Sequence, residues 1–293
     1  MTLSEKRSLK LGLLFISPWI LGFAIFVAYP FLASIYFSFC YYNIFEPPRL
    51  LGLDNYKNLL SDRVFWIAIG NTFLYATLII PLCFLVSLSL ALLLNAGTRG
   101  QALFRVIFYL PSLVPMVALS ILWLWIFNGE FGIFNQFLIK LGVETPPAWL
   151  LHPFLAKLAI VFMGLWTLGQ SIIIYLAALQ EVPKSLLEAA ELDGACWRHK
   201  LRHIILPAIS PSILFNVLMG IIGSFQIFAA PYIMTNGGPG KSTTFYLLYL
   251  YQKAFEDYDM GYASAMAWIL FVIIFALTFL AMRVSRNKIS YMD

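Results

Sequence analysis

Charged residues are scarce in this sequence. Asp, Glu, Lys and Arg make up 11% of its 293 residues and hydrophobic residues make up 61%, whereas soluble domains carry about 25% and 45–50%. The mean hydropathy is +0.84. A chain with so little polar surface cannot cover a water-facing globule. The composition therefore excludes a soluble protein of ordinary domains and predicts a protein solvated by lipid.

Cysteine and histidine are scarce as well, at three residues each. The cysteines are odd in number and far apart, so they imply no disulfide framework. Residues 193–203 carry an aspartate, a cysteine and two histidines at a spacing that could bind zinc. A glycine interrupts this set and three basic residues crowd it, which favours a solvated basic helix face over a metal site.

The few charges are clustered, and they leave long stretches without Asp, Glu, Lys or Arg. Six stretches have 23 to 38 residues. A helix needs roughly 20 residues to cross a hydrocarbon core, and backbone in lipid must satisfy its own hydrogen bonds, so each stretch predicts a transmembrane helix. The stretches are Leu11–Phe45, Val64–Thr98, Val106–Gly129, Leu158–Gln180, His203–Gly240 and Met260–Met282.

Basic residues near the span ends predict the orientation of the chain. Six spans put both termini on one side, and that side carries twelve of the nineteen Lys and Arg residues. We therefore expect cytoplasmic termini, and we attribute the net charge of +5 to membrane orientation rather than to nucleic-acid binding. The twelve residues are Lys6, Arg7, Lys10, Arg99, Arg105, Lys184, Arg198, Lys200, Arg202, Arg283, Arg286 and Lys288.

One connection, residues 181–206 on the predicted cytoplasmic side, is longer than a link between two spans requires. Pro183 suits the first turn of a helix, residues 185–192 are mostly good helix formers, and Gly194 can take the positive φ that ends a helix. A second helical stretch, residues 195–206, is expected to end at Pro207. This pattern predicts a helical hairpin outside the membrane, which is suited to docking another protein.

The same connection carries a specific resemblance. Glu188-Ala189-Ala190, then three residues, Gly194, nine residues and Ile204-x-Leu206-Pro207 reproduce the loop pattern of the inner-membrane permeases of binding-protein-dependent ABC importers. The sequence is also similar to the class of the maltose and glycerol-3-phosphate permeases. The segments that carry this second likeness are Leu53–Tyr56, Leu110–Pro115 after Arg105, Thr235–Pro239, Thr243–Thr244 and Tyr251–Phe255.

The resemblance implies an all-α membrane subunit with six transmembrane helices and the type I ABC importer permease fold. It implies a first helix with an external segment over residues 1–65 and a five-helix core over residues 66–293, with the coupling loop at 181–207. The chain itself would hold no cofactor and be no enzyme. The residues implied to couple it to an ATPase are Glu188, Ala189, Ala190, Asp193, Gly194, Leu206 and Pro207.

The resemblance further implies the partners and location of the chain. These are a second permease subunit in a heterodimer, two ATPase subunits that bind ATP and Mg, an external solute-binding protein and the lipid of the cell inner membrane. No nucleic acid is expected. Residues 235–242 look like a nucleotide-binding loop, but Thr235 stands where that loop needs its first glycine. A separate subunit is therefore expected to supply the energy.

No Asp, Glu, Lys or Arg lies at bilayer depth in the predicted spans, whereas ion relays normally need such groups. Neutral polar and aromatic residues lie there instead, and these can bind sugars or join helices. Family members place a transient sugar site on the helices ahead of the coupling loop and the glycine-rich loop. The matching residues are Ser112, Met116, Trp166, Gln170, Phe225 and Gln226.

Met116 stands where the maltose permease has a hydroxyl, so the same sugar is not implied. The favoured function is one half of the permease pathway for a sugar or sugar derivative. Other possibilities stay open at this point: a non-sugar importer permease, an ion-coupled secondary carrier, which the missing charges disfavour, and a membrane enzyme, which the lack of a convergent catalytic set disfavours.

Overall fold

A computed structural model describes residues 3–97 and 100–286, with side chains from residue 11 onward. Arg99 and Lys288 lie outside the described residues, as do the side chains of Lys6, Arg7 and Lys10. The described helices are α1 (Leu3–Phe23), α2 (Tyr29–Ser38), α3 (Asp54–Ser61), α4 (Arg63–Asn95), α5 (Gln101–Tyr109), α6 (Met116–Ile126), α7 (Ile133–Lys140), α8 (Pro153–Trp166), α9 (Gly169–Glu181), α10 (Lys184–Leu192), α11 (Trp197–Lys200), α12 (Leu206–Ala208), α13 (Ser210–Phe225), α14 (Ala229–Met234), α15 (Tyr246–Tyr251) and α16 (Met260–Ser285).

Tighter and wider helical turns join several of these helices. A 3₁₀ turn covers Leu110–Leu113, and π-helical turns cover Ala24–Ala28, Leu201–Ile205 and Gln252–Glu256. Two short strands, β1 (Cys40–Tyr41) and β2 (Arg49–Leu50), pair antiparallel. The predicted all-α class is confirmed, with this one pair of two-residue strands in addition.

The described helices include four that are long and apolar enough to cross a membrane: Leu11–Ser38, Arg63–Asn95, Ser210–Met234 and Met260–Ser285. Two further pairs qualify only when each is taken together. Gln101–Leu113 and Met116–Ile126 meet at a bend of 99°, and Pro153–Trp166 and Gly169–Glu181 meet at 46°. The described part of the chain therefore has four spans, or six if each bent pair crosses as one.

The chain divides into two compact units. The first comprises the residues up to Asp62 together with Leu250–Ile269, and the second comprises Arg63–Tyr249 together with the residues from Leu270 onward. In the first unit, none of the described residues 11–37 is buried. Within this unit Trp268 covers part of the first span, with its ring 4.9 Å from that of Phe31 and its indole N–H donating to Ser34 Oγ at 3.2 Å. Most other apolar side chains of the span stay exposed, which leaves them to lipid or to another subunit.

The external segment of the first unit is fastened to the end of α2 by Asn55. The side-chain amide of this buried residue donates to the carbonyl oxygens of Ser38 and Cys40, at 3.0 and 2.9 Å. The last carbonyls of a helix have no partner within the helix, and Asn55 supplies one. The Tyr56 hydroxyl adds a bond of 2.8 Å to Ser38 Oγ. The external segment that contains residues 53–56 thus caps the C-terminal end of the first span.

The second unit is built around α4, which packs against α8, α9 and α13. One buried cluster, including Tyr75, Trp123 and Ile160, lies toward the start of α4. A second, including Leu88, Ile172 and Tyr175, lies toward its end. Because the helices are apolar on nearly every face, burial here depends on close contact between helices rather than on an amphipathic pattern.

The glycine-rich loop that follows α14 is tied to α4 by polar groups. Asn71 donates to the carbonyls of Lys241 and Thr244, at 2.9 and 3.0 Å, and Thr72 Oγ1 accepts the Tyr246 amide at 2.9 Å. Within the loop, the Thr235 and Thr243 hydroxyls lie 2.7 Å apart. These bonds satisfy loop backbone that would otherwise be unpaired near the end of a span.

We expect Asn55→Leu to destabilise the protein more than Asn58→Leu, its exposed neighbour on α3. Leucine would leave two partly enclosed carbonyls without donors, and an unsatisfied buried group costs about 1–3 kcal/mol. Thermal unfolding of the purified transporter would measure the difference. Equal midpoints for the two variants would contradict the capping role of Asn55.

Candidate functional site

A cavity of about 640 Å³ lies inside the second unit, among α4, α8, α9 and α13. It lies where three helices are interrupted. Met116 begins α6 just after the 99° bend, Thr167 and Leu168 separate α8 from α9, and Gln226–Phe228 separates α13 from α14. Irregular backbone at membrane depth is tolerated only where protein or a cavity satisfies it, so the breaks and the cavity belong together.

The cavity wall is mainly apolar with several neutral polar groups: none of the described residues that line it is Asp, Glu, Lys, Arg or His. Several of its donors are already used within their own helices. Thr167 Oγ1 donates to Gly164 at 2.9 Å, Ser224 Oγ to Ile221 at 3.0 Å, and Asn216 Nδ2 to Ser212 at 3.0 Å. Each of these groups keeps acceptor lone pairs. These three groups therefore offer a ligand their acceptors more readily than their donors.

Tyr175 contributes a donor at the inner part of the cavity. Its side chain is 1% exposed, it lines the cavity, and its hydroxyl has no hydrogen-bond partner within the described residues. Buried hydroxyls are normally paired. An unpaired one at a cavity wall is a group that a ligand or a water molecule can satisfy.

The connection between α9 and α13 forms the predicted hairpin. The φ angle of Gly194 is +75°. The Gly194 amide donates to Glu191 and the Ala195 amide to Ala190, at 3.0 and 2.8 Å. These two bonds are the Schellman arrangement that ends a helix. Lys200 Nζ lies 2.6 Å from Glu191 Oε1 and joins α11 to α10. The predicted stop at Gly194 is confirmed.

The second helix of the hairpin continues past Pro207, whereas the sequence analysis expected it to end there. The π-helical turn explains the difference: the Leu206 amide bonds to the Leu201 carbonyl, and the helix continues through α12 to a break at Ile209. Ile205 and Ile209 are buried in the same cluster as Tyr175 and Leu168, two residues that line the cavity. The hairpin and the cavity therefore share one packed core.

Comparison with known proteins assigns the fold and the class of protein. A family model described as the binding-protein-dependent transport system inner membrane component matches residues 83–289. The chain belongs to this family. It is therefore a multi-pass membrane permease and not an enzyme, and the assignment favours an importer permease over an ion-coupled carrier.

The permease has relatives over almost its full length. It is 38% identical over 297 residues to the probable ABC transporter permease protein YesP of Bacillus subtilis, covering 99% of this chain and 96% of the relative. It is 33% identical over 289 residues to the trehalose/maltose transport system permease protein MalF of Thermococcus litoralis, covering 97% and 96%.

The permease also matches a solved structure in fold. A chain in the crystal structure of a bacterial alginate ABC transporter, in complex with an alginate-bound periplasmic protein, superposes with a TM-score of 0.84 at 23% identity. The match covers 98% of each chain. The permease thus shares the fold of that transporter chain.

The structure brings three of the six residues predicted to bind substrate to the cavity wall: Met116, Gln170 and Gln226. The other three lie beside it. Ser112 Oγ donates to the Tyr109 carbonyl at 2.6 Å. The Trp166 ring meets Trp123 edge-on at 5.9 Å, and Phe225 is buried with its ring edge-on to Phe73 at 5.0 Å. These three residues therefore pack near the helix breaks rather than line the cavity.

The sequence analysis missed the part of the cavity wall that α4 contributes. Tyr75, Ile79, Cys83 and Ser87 line it, spaced four residues apart on one helix face. A regular stripe containing a tyrosine, a cysteine and a serine in an otherwise aliphatic span was the available signal. Tyr175, which the sequence analysis also did not select, faces the same space from α9.

The predicted coupling residues occupy the hairpin and its exit. Glu188, Ala189, Asp193 and Gly194 are exposed, and Ala190, Leu206 and Pro207 are half-buried. No side chain of α10 is buried within the described structure, and Leu192 is 91% exposed. A helix that packs so little against its own chain, yet is held by a defined cap and an ion pair, is suited to packing against another subunit.

Proposed function

We propose that this permease forms half of the pathway of an ATP-driven importer for a sugar or sugar derivative. The uncharged cavity at the helix breaks carries the proposal. Sugar hydroxyls can donate to the lone pairs of Thr167, Ser224 and Asn216, and the uncharged wall suits a neutral solute because an unpaired charge is costly to bury. The Thermococcus litoralis relative, named for trehalose and maltose transport, supports the same substrate class.

In this proposal the substrate contacts are Met116, Gln170 and Gln226 of the six predicted residues, joined by the cavity residues Tyr75 and Tyr175. Gln170 and Gln226 are exposed at the cavity and offer both a donor and an acceptor. Ser112, Trp166 and Phe225 contribute by fixing the helix breaks around the bound sugar. An external binding protein delivers the sugar to this pathway.

The remaining partners follow from the transport cycle. We propose that the permease pairs with a second permease subunit as a heterodimer and with two cytoplasmic ATPase subunits, which hold ATP and Mg. It lies in the cell inner membrane with both termini in the cytoplasm. Residues 1–65 provide the first helix and external segment, and residues 66–293 provide the transporting core.

Coupling to the ATPase is proposed for the hairpin. Glu188, Ala189 and Ala190 present a short helix with small side chains that allow close approach, while Asp193 and Gly194 form its stop. Leu206 and Pro207 lead into the membrane. When the ATPase subunits close on ATP, the hairpin moves with them as one piece because the Glu191–Lys200 pair and the helix cap hold its two arms together.

The packed core beneath the hairpin offers a route from this movement to the cavity. Ile205 and Ile209 share a buried cluster with Tyr175 and Leu168. Close-packed side chains transmit displacement because they leave few voids to absorb it. A shift of the hairpin would thus reposition the inner wall of the cavity and release the sugar toward the cytoplasm.

Charge reversal at Glu188 should uncouple the transporter. We expect Glu188→Lys to lower substrate-stimulated ATP hydrolysis and uptake at least tenfold with normal membrane insertion, because a cation would replace an exposed carboxylate on the docking helix. Glu181→Lys, in the same connection but outside α10, is the matched control. Hydrolysis and uptake per purified complex are the measurements. Unchanged stimulation in Glu188→Lys would exclude the coupling role.

Cys196 should report the membrane side of the hairpin. A membrane-impermeant maleimide should label it in inside-out vesicles but not in intact cells, because the basic residues predict a cytoplasmic hairpin. The label is attributable, since Cys196 is exposed whereas Cys40 is buried and Cys83 half-buried, and Cys196→Ser should abolish it. Labelling from outside intact cells would reverse the proposed orientation.

Gln226→Leu and Gln170→Leu should lower transport without lowering assembly. Each removes a hydrogen bond to the sugar, and a neutral bond contributes roughly 0.5–1.5 kcal/mol, so we expect a several-fold loss of apparent affinity or turnover. Gln136→Leu, on α7 outside the cavity, is the control. Uptake is normalised to purified complex. Unchanged uptake with reduced complex yield would identify the two amides as helix contacts only.

A further inference from the structure

In the short helix α7, a polar residue is buried and apolar residues are exposed. Asn135 is completely buried, whereas Ile133 and Phe137 are 72% and 59% exposed. Residues 133 and 137 lie on one helix face and residue 135 lies on the opposite side. Six residues of α7 are exposed; four of them are apolar and two, Gln136 and Lys140, are polar. The outward side of α7 is thus mainly apolar, whereas its buried side carries Asn135, which differs from a helix that borders water.

Specific contacts hold α7 in this orientation. Asn135 Nδ2 donates to the carbonyls of Gly129 and Pro147, at 2.8 and 3.2 Å. Its Oδ1 accepts the Trp149 indole N–H at 2.7 Å. The Phe134 ring stacks on Phe127 at the end of α6, with centroids 5.3 Å apart and planes 11° apart. The exposure of Ile133 and Phe137 is thus imposed by the packed side of the helix.

We propose that α7 lies flat in the lipid–water interface and inserts Ile133 and Phe137 into the adjacent leaflet. The proposal uses only the multi-pass nature of the permease and does not depend on its substrate. α7 lies between the end of α6 at Ile126 and the start of α8 at Pro153, and each of these helices belongs to a bent pair that is long and apolar enough to cross a membrane. Where each pair crosses as one span, α7 belongs to the connection between two membrane crossings. A helix with one apolar and one anchored face is suited to the lipid–water boundary.

Exposed apolar side chains also flank α7 in the sequence. Trp125, near the end of α6, is 69% exposed. Exposed apolar side chains continue on either side of α7 with Phe131 and Leu141, and then Leu151 just before α8. Trp rings are typical of the headgroup level. The charged residue of α7, Lys140 at its last turn, can extend its ammonium group to lipid phosphate.

An interfacial α7 would also have a role in transport. The rings of Phe134, Phe127 and Trp123 follow one another, with Trp123–Phe127 centroids 5.2 Å apart, and Trp123 meets Trp166 at 5.9 Å. Trp166 ends α8 immediately before the break at the cavity. Lipid contact would therefore fix the outer end of α6 against the leaflet and steady one wall of the cavity.

Quenching of a fluorophore on α7 tests the proposal. In a Cys196→Ser background, Phe137→Cys and Ile133→Cys would each carry a nitrobenzoxadiazole label, in the complete transporter reconstituted in phosphatidylcholine vesicles. Glu144→Cys, exposed in the following loop, is the control. The unsubstituted background gives the signal from the other two cysteines. Shallow doxyl-phosphatidylcholine quenches from lipid, and iodide quenches from water.

We expect doxyl lipid to quench labels at 133 and 137 at least threefold more than it quenches the label at 144, with iodide showing the opposite order. Quenching by iodide equal to that at position 144 would place the face in water and overturn the proposal. Protection from both quenchers would also overturn it, because it would identify the face as a contact with another protein. The same reading at both labelled positions guards against a local effect of one substitution.

Discussion

The backbone of a membrane protein must find its hydrogen bonds without water, and the rest of this structure depends on that constraint. Uninterrupted helices meet it within themselves. The three interrupted helices cannot satisfy all of their backbone groups internally. Their interrupted ends meet around one cavity, which is lined by Met116, Thr167 and Gln226. The same constraint acts near the ends of spans, where Asn55 donates to the Ser38 carbonyl that ends α2 and Asn71 donates to carbonyls of the glycine-rich loop. The hydrogen-bonding needs of the backbone therefore account for the positions of these polar side chains before any substrate is considered.

The hairpin between α9 and α13 is joined to a close-packed core. The hairpin of α10 and α11 is closed by a helix cap and the Glu191–Lys200 ion pair, yet α10 packs little against its own chain. Below it, Ile205 and Ile209 enter a dense cluster with Tyr175. A rigid exposed element above a close-packed core is what transfer of movement from one subunit to another requires, because neither part absorbs the displacement.

The sequence predicted the helical class and the location of four long spans, because charge-free stretches are governed by the simple requirement of crossing lipid. The two bent pairs leave its count of six spans unconfirmed. It also predicted the stop at Gly194, since a positive φ favours glycine. It could not predict which face of an apolar helix meets the cavity. In the sequence, Tyr75, Ser87 and Phe225 all lie within charge-free apolar stretches. Only the packing of the helices shows that Tyr75 and Ser87 line the cavity whereas Phe225 does not. The passage of the helix through Pro207 was missed because a π-helical turn has no clear sequence signal.

The first span also has a consequence for how the subunit is made and kept. Residues 11–37 are not buried, so this helix adds little to the hydrophobic core of its own polypeptide. Its contacts with the chain are near its end, at Phe31, Ser34 and Ser38, and the rest of its surface is left to lipid or a companion subunit. A newly inserted copy without its partner subunits would expose a long apolar helix that has no defined position in the bilayer. Exposed surfaces of this kind are what the quality-control proteases and chaperones of the membrane detect. The exposure of this helix therefore favours production of the transporter subunits in matched amounts.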